Sequence, residues 1–249
     1  MRRALLIAVA LLVLIAAAVP VFAKVTSSGI LSRVKTVESS VKDLRADMVI
    51  TEANKKNVSG MGEGYGDILR LQKAVISYKS PNLIRYDGYA EGIKAAYIQN
   101  GYNKLILAAM IRQKENVKNA PGKRQDSLDL GFLNSDLWKD NHVTVVSTGK
   151  NGVVKLNFDP KFGGTDKRHD YVWVDSKTLK LVKREKYRGN GEMRLRTVYS
   201  SYQTIGGKLP IATMATLYDG GGRELGSIKY KNVKANTGLS NALFSMNQR

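Results

Sequence analysis

The two histidines, His142 and His169, are the side chains best suited to acid–base or metal chemistry in this chain. Neither has a partner at the spacing that zinc ligands show, so a zinc site is not expected. His169 and Asp170 would form a hydrolytic triad only with a suitably presented serine, and the chain has no Gly-x-Ser-x-Gly motif. The sequence therefore predicts a protein that is not an enzyme and needs no cofactor.

Two further groups of residues resemble functional motifs, but the residues around them do not support a functional site. The glycines between Gly60 and Gly66 lack the Gly-Lys-Ser/Thr ending of a phosphate-binding loop. Four aspartates surround the apolar stretch 127–138, which we interpret as a short helix with a solvated acidic face: Asp126, Asp129, Asp136 and Asp140.

Residues 1–23 have the order of a secretory signal peptide. Arg2 and Arg3 precede an uncharged apolar run, Pro20 ends that run, and Val21-Phe22-Ala23 places small residues at a cleavage site. We predict that this segment is removed and that residues 24–249 form one soluble periplasmic domain. An uncleaved membrane anchor is the alternative. The chain has no cysteine, which excludes an acylated N-terminal cysteine.

The chain is strongly basic, with a formal net charge of +19. A net positive charge of this size first suggests nucleic acid as the partner. The predicted export of the protein and the scatter of its basic residues along the chain argue against that partner. Anionic lipid headgroups are the polyanion of the exported compartment, so contact with an anionic membrane surface is one interpretation. A basic surface without a specific partner is the other.

Hydrophobic periodicity predicts one amphipathic helix followed by many strands. Apolar residues recur every three or four positions over Ile30–Leu44 and then alternate, and turn signals recur through the second half of the chain. Arg112–Gln125 is predicted to be a solvated basic loop or mobile lid. The strands predicted before it are 48–51, 67–79, 83–87, 94–99 and 104–110.

This pattern predicts an α+β domain dominated by a single antiparallel sheet of about ten to eleven strands. Strands in which apolar and polar residues alternate bury one face only, and one helix is too small to cover the apolar face of such a sheet. The sheet therefore curls around the helix or leaves an apolar hollow, and periodicity does not separate a hollow from a packed core.

Four segments, in order along the chain, resemble the LolA family of periplasmic lipoprotein carriers. The Lys-x-Pro signature of that family corresponds to Lys79-Ser80-Pro81 between two strands. The other segments are its first helix and strand, its Asn-Gly hairpin and its closing segment with a Phe: residues 37–47, 97–107 and 239–246.

The resemblance implies a strongly curved, unclosed β-barrel with helices as a lid over an apolar cavity. It also implies acyl chains as the ligand, an inner-membrane ABC-type exporter as donor and an outer-membrane acceptor. The family places an Arg directly before the Pro, where it holds the lid; here that residue is Ser80, and Arg85 is the candidate replacement. By alignment, the cavity wall comprises Ile76, Tyr78, Ile84, Tyr86, Tyr97, Leu105 and Leu107.

The sequence thus predicts a periplasmic carrier of acyl chains, above all those of lipoproteins, that moves them from the inner toward the outer membrane. Two alternatives use the same fold. One is a sensor of lipid or of envelope stress, and the other is an enzyme whose polar residues, such as His169 and Asp170, converge inside the hollow.

Overall fold

The computed structural model describes residues 25–51, 54, 57, 71–164 and 167–248. The predicted signal peptide, nearly all of the glycine-rich loop 57–66 and the start of the predicted strand 67–79 lie outside these residues. Within the described part of the chain, no helix combines the length and apolar character needed to cross a bilayer.

The described chain is mostly β, with thirteen antiparallel strands in one sheet. Its two α-helices are α1 (Ser27–Glu38) and α2 (Asp136–Asp140), and two short 3-10 helices span Pro121–Lys123 and Asn241–Phe244. The strands are β1 (Asp43–Thr51), β2 (Leu71–Lys79), β3 (Leu83–Ala90), β4 (Ile93–Asn100), β5 (Asn103–Ala108), β6 (Ile111–Asn116), β7 (Asn141–Thr148), β8 (Val153–Pro160), β9 (His169–Asp175), β10 (Leu181–Tyr187), β11 (Met193–Ile205), β12 (Leu209–Asp219) and β13 (Glu224–Ala235).

The sheet consists of two meanders joined through β1 and β13. Its order runs from β6 back to β1, continues to β13, and then descends to β7. The sheet is unclosed, and β6 and β7 are its two edges. Residues 117–140 connect these two strands, so this part of the chain passes from one edge of the sheet to the other; we call it the crossing segment.

Alternation along the strands separates an inner face from an outer face. In β3, for example, Ile84 and Tyr86 are buried, whereas Leu83, Arg85 and Asp87, which alternate with them, are partly exposed. Helix α1 packs Ile30 and Val34 into the same core as Ile84 and Tyr86, and we call this side the inner face. The outer face of β3–β5 is covered by the C-terminal residues 239–246, whose Phe244 packs against Ile98 and Leu105.

The helix predicted over Ile30–Leu44 ends earlier, at Glu38. The Ser39 and Ser40 hydroxyls donate to the carbonyls of Thr36 and Val37 at 2.9 and 2.7 Å. These bonds satisfy the carbonyls that the helix end leaves without partners. Leu44, predicted as the last helical residue, instead lies in β1, where it still reaches the core because its side chain points inward.

The prediction that the basic stretch Arg112–Gln125 forms a loop is wrong for the first half of that stretch. Ile111–Asn116 forms edge strand β6, paired along its length with β5. This strand has no sequence signal, because an edge strand with mostly exposed side chains does not alternate apolar and polar residues. Of the helix predicted over 127–138, only the residues from Asp136 onward are α-helical, and turns precede them.

Candidate functional site

Five of the predicted cavity residues share the inner face. The register pairs Ile76 with Tyr86 and Tyr86 with Tyr97, and it pairs Tyr78 with Ile84. The Tyr86 and Tyr97 rings meet edge to face, with centroids 5.8 Å apart. Four of the five are buried in the main core, and Tyr97 packs against it.

Leu105 and Leu107 lie on the outer face and are not brought together with the other five. Tyr97 pairs with Ile106, so the residues on either side of Ile106 point away from the inner face. Leu105 is buried there against Phe244, and Leu107 packs against the same cluster. Alignment by motif placed β5 correctly but did not fix which of its residues face inward.

Arg85 also belongs to the outer face, where it holds the C-terminal residues. Its guanidinium is bonded to both Asp87 carboxylate oxygens at 2.5 and 2.6 Å, donates to the Leu243 carbonyl at 2.8 Å, and contacts the Gln248 side chain. It is therefore not placed to replace the family's lid arginine. Ser80 lies in the exposed turn after β2, where its N–H donates to the Lys42 carbonyl.

A pocket of about 510 Å³ lies between the inner face and the crossing segment. One part of its wall is apolar and includes two of the predicted cavity residues. The apolar lining comprises Tyr78, Pro81, Ile84, Leu128, Leu137, Phe158 and Pro160.

The other part of the wall is lined by charged side chains, which the sequence did not predict as site residues. Six basic and four acidic side chains line the pocket. The basic residues are Arg124, Arg168, Arg184, Lys186, Arg188 and Arg194, and the acidic residues are Asp126, Asp136, Asp140 and Asp170.

A buried ion cluster around Arg184 organises this charged wall. Its guanidinium bonds Asp126 at 2.7 and 2.9 Å, Asp129 at 2.8 Å and Asp170 at 2.7 Å. Burial opposes ionisation of Asp126, but the charges of Arg184 and Lys186 outweigh it and hold the pKa of that carboxyl below its ordinary value. The cluster ties the start of the turns at 126–130 to β9 and β10.

The predicted solvated face of acidic residues is therefore wrong. Asp126 and Asp129 bind Arg184, Asp140 binds Arg124 at 2.5 Å, and Asp136 binds Lys139 at 2.8 Å. Arg184 lies 58 residues from Asp126 and 55 residues from Asp129 in sequence, which is why helical periodicity gave no sign of these two pairs.

Two tyrosine hydroxyls, one from β11 and one from β13, fix the crossing segment. Tyr199 donates to the Leu128 carbonyl at 2.8 Å, and Tyr230 donates to the Asp129 carbonyl at 2.9 Å. Burial raises the pKa of both hydroxyls well above the ordinary value, so they remain protonated donors. The Ala212 N–H donates to the Gly131 carbonyl at 2.9 Å and completes this attachment.

The two helices are joined to each other across the same region. The Glu38 carboxylate accepts from the Ser135 N–H at 2.6 Å and from the Ser135 hydroxyl. At the other end of α1, Ser27 accepts from the Trp138 ring N–H at 3.0 Å. Helix α1 and the crossing segment therefore form one connected cover over this part of the inner face.

His169 and Asp170 do not converge. They are consecutive in β9 and point to opposite faces, with His169 stacked on Tyr187 at 5.0 Å and Asp170 bonded to Arg184. The triad considered for the enzyme alternative therefore does not form from these two residues. In the described part of the chain, no group of three acidic or histidine side chains is placed to hold a metal ion.

The fold of this chain is similar to that of several solved structures. No protein-family model and no curated protein matches the sequence. Among solved structures, a LolA superfamily protein from Nitrosomonas europaea matches with a TM-score of 0.63 at 15% identity, covering 89% of this chain and 98% of that one.

Two further structures match along nearly their whole length. A putative outer membrane lipoprotein-sorting protein domain from Vibrio parahaemolyticus has a TM-score of 0.54 at 13% identity, covering 87% of this chain and 96% of that one. A DUF1329 family protein from Desulfovibrio piger has the same TM-score and identity, with coverage of 88% and 96%. The predicted resemblance to LolA is thus confirmed at the level of the fold.

Proposed function

We propose that this protein is a periplasmic carrier that encloses acyl chains, above all those of lipoproteins, and moves them from the inner toward the outer membrane. In this proposal residues 1–23 are removed on export and residues 24–249 form one lipid-binding domain. An inner-membrane ABC-type exporter would load the carrier, and an outer-membrane acceptor would unload it.

The pocket between the inner face and the crossing segment carries this proposal. Its volume of about 510 Å³ falls within the range of about 300–1,000 Å³ that small-molecule sites occupy. Tyr78 and Ile84, which the family resemblance places on the cavity wall, both line it. The LolA-type fold supports the same ligand class.

The energetics of an acyl chain explain why a carrier must enclose it. Each CH₂ group moved from water into an apolar site contributes about 0.8 kcal/mol, so one long chain contributes on the order of 10 kcal/mol. Widening the pocket for a whole chain requires the cover to move. The crossing segment is attached by hydrogen bonds and ion pairs, and it also buries apolar side chains in the main core: Leu128, Leu130, Phe132, Leu133 and Leu137. The polar bonds can be exchanged for bonds to water when the cover opens, whereas the apolar contacts oppose opening.

Two matched substitutions test the proposal. Ile84 and Ile98 lie on neighbouring strands and are equally buried, at 1% and 0% exposure, but they face opposite sides of the sheet. Ile84→Ala and Ile98→Ala should each destabilise the protein by about 2–5 kcal/mol. Only Ile84→Ala should change the affinity for a fluorescent fatty-acid probe, by several-fold.

The probe titration is made on the soluble protein without residues 1–23, and circular dichroism checks that both variants are folded. Equal effects of the two substitutions on probe binding would contradict an inner-face site. No binding of the probe by the unsubstituted protein, together with the absence of lipid in native mass spectra of protein isolated from its own envelope, would contradict the carrier.

A further inference from the structure

Two neighbouring hairpins end in exposed apolar side chains. Strand β3 turns into β4 and β5 turns into β6 at the same end of the sheet, because Ala95 at the start of β4 pairs with Ala108 at the end of β5. Six large apolar side chains are exposed in the described part of the chain, and four of them lie in or beside these two turns. We call these four the apolar tips: Tyr89 at 56%, Ile93 at 51%, Met110 at 100% and Ile111 at 62% exposure.

Tight turns hold the apolar tips away from the rest of the protein. Ala90 pairs with Ile93 and Ala108 pairs with Ile111, so each turn contains only two residues. A Cβ added at Gly92 would have nothing within 4 Å. Single exposed apolar residues are ordinary, whereas a concentration of them on adjacent hairpins marks an interaction surface.

The apolar surface continues from the tips a short way onto the inner face. Ala95 and Ala108, which pair across β4 and β5, are only half-buried there. The tips are thus the projecting end of an apolar strip and not the wall of a groove. A projecting apolar surface fits a deformable apolar phase, into which it can insert.

Lysines accompany the apolar tips on the outer face. The register places Tyr89 between Lys73 and Lys94, and Lys114 follows in β6. All three lysines are exposed, and none forms an ion pair with another residue of the described ranges. Glu91 is the one acidic residue within the two turns. Exposed apolar side chains with an aromatic residue and flanking lysines are typical of segments that lie in the interface of an anionic bilayer.

We propose that the apolar tips dock this protein onto an anionic phospholipid membrane. Met110, Ile93 and Ile111 enter the boundary between headgroups and acyl chains, and Tyr89 lies at the level of the headgroups. The flanking lysines contact the lipid phosphates. The net charge of +19 attracts the whole chain to such a surface before the tips insert.

This docking surface is separate from the pocket. The pocket is bordered by Asn82 and Gly101, which lie at the other end of the strands that carry the tips. Docking therefore leaves the pocket uncovered, and substitutions at the tips should not change the binding of a fatty-acid probe. The inference goes beyond the carrier function, because membrane docking requires no cargo and is measured without one.

Site-specific labelling tests insertion directly, because the chain has no cysteine and a single introduced one is unique. Met110→Cys carries an environment-sensitive NBD fluorophore, and Val198→Cys, at an exposed apolar residue of β11, carries the same label as the control. The labelled protein without residues 1–23 is mixed with vesicles of phosphatidylcholine, alone or with phosphatidylglycerol. We expect a blue shift, and quenching by spin-labelled acyl chains, only for the label at position 110 and only with phosphatidylglycerol present.

Unlabelled variants separate the apolar contribution from the ionic one in vesicle co-sedimentation. The double variant Met110→Ser and Ile111→Ser should bind anionic vesicles about ten-fold more weakly, whereas Val198→Ser should bind them unchanged. The double variant Lys73→Gln and Lys94→Gln should also bind more weakly, and its affinity should depend less on salt. Circular dichroism checks that all of these variants are folded.

The outcomes that overturn the inference are distinct from those that overturn the carrier. Absence of binding to anionic vesicles overturns the docking surface. Binding in which the label at position 110 stays in water overturns it as well, because charge attraction alone would then explain the binding. Variants at the tips that lose vesicle binding but retain the affinity for the fatty-acid probe support the inference, and the probe titration decides the carrier function by itself.

Discussion

The Asp43 carboxylate binds Thr237 twice, accepting from its N–H at 2.6 Å and from its hydroxyl at 2.8 Å. The Gly238 N–H donates to the same carboxylate at 3.0 Å. Asp43 begins β1, and residues 237–238 follow β13, so this buried side chain fixes the chain where it leaves the sheet. From there the C-terminal residues continue across the outer face to Phe244.

Asp43→Asn should lower stability at neutral pH by about 1–3 kcal/mol, because an amide group presents N–H donors to N–H donors that need an acceptor. Burial alone would raise the pKa of Asp43, but these hydrogen bonds outweigh it and lower the pKa below 3.8. The stabilisation is thus complete above about pH 4 and is lost as the pH falls through the folded-state pKa.

Urea unfolding at pH 7 and at pH 3 checks this prediction. The stability difference between Asp43→Asn and the unsubstituted protein should shrink at the lower pH. A difference that stays constant between the two pH values would show that the charge of Asp43 is not what holds Thr237.

Gly131→Ala should destabilise the protein by more than the strain of its backbone alone. Gly131 has φ +86°, and an added Cβ would lie 2.7 Å from the Ala212 carbonyl oxygen. Gly92 has a similar φ of +83° and nothing within 4 Å of such a Cβ, so Gly92→Ala measures the backbone term, about 1–2 kcal/mol.

Chemical unfolding of both variants gives the cost of the clash by difference. We expect Gly131→Ala to lose at least 1 kcal/mol more than Gly92→Ala, because the backbone of β12 must move to admit the methyl group. Equal losses would mean that the crossing segment shifts freely over β12.

The sequence was sufficient to predict the first five strands in their order along the chain, because their signals are local. Residues such as Ile84 and Tyr86 alternate with polar neighbours, and the Asn100-Gly101 turn separates β4 from β5. Where the apolar signal was absent, as in β6, the strand was missed. Leu105 shows a different failure, since both faces of β5 are apolar and only the paired register assigns the side chain to one of them.

The charged half of the pocket was beyond sequence reasoning for a physical reason. Arg184 and Asp126 are 58 residues apart and meet only because the crossing segment lies over β10. An aspartate near an apolar stretch is normally solvated, so its pairing depends on tertiary structure. A pattern based on periodicity contains no such information.

Arg184→Met should introduce a pH dependence of stability between pH 7 and pH 5 that the cluster does not give the unsubstituted protein. The substitution leaves the carboxylates of Asp126, Asp129 and Asp170 close together without the guanidinium that binds all three, at a cost of about 3–5 kcal/mol. Lys186, at 3.7 Å from Asp129, does not replace those bonds. The mutual repulsion of the carboxylates favours protonation, so the variant should gain stability as the pH falls from 7 to 5.

The unsubstituted protein should show no such gain from this cluster. The pKa of Asp126 lies below 3.8 in the folded state, so its contribution is constant over this range and is lost only at lower pH. Thermal unfolding at pH 7, 6 and 5 gives the comparison, with Arg223→Met as the exposed control. A variant that loses stability on acidification would show that the carboxylates find other cations.

Ser80→Arg should slow the uptake of a fluorescent acyl probe while leaving the fold intact. The turn after β2 is already tied to the crossing segment, because Asn82 donates to Asp136 at 2.8 Å and the Pro81 carbonyl accepts from Asn134. An arginine at position 80 adds a cation two residues from Asn82, and we expect its long side chain to bond the Asp136 carboxylate that Asn82 already binds. A charge-assisted hydrogen bond shielded from water contributes about 1.5–3 kcal/mol, so opening should slow by about ten-fold or more.

Stopped-flow mixing with the probe measures the rate, and Ser200→Arg adds the same charge at an exposed position of β11 as the control. Asn82→Ala should act in the opposite direction, since it removes one bond that holds the cover, and uptake should become faster. If Ser80→Arg and Asn82→Ala both leave the rate at the control value, the crossing segment is not the part of the molecule that opens, and the probe must enter elsewhere along the sheet.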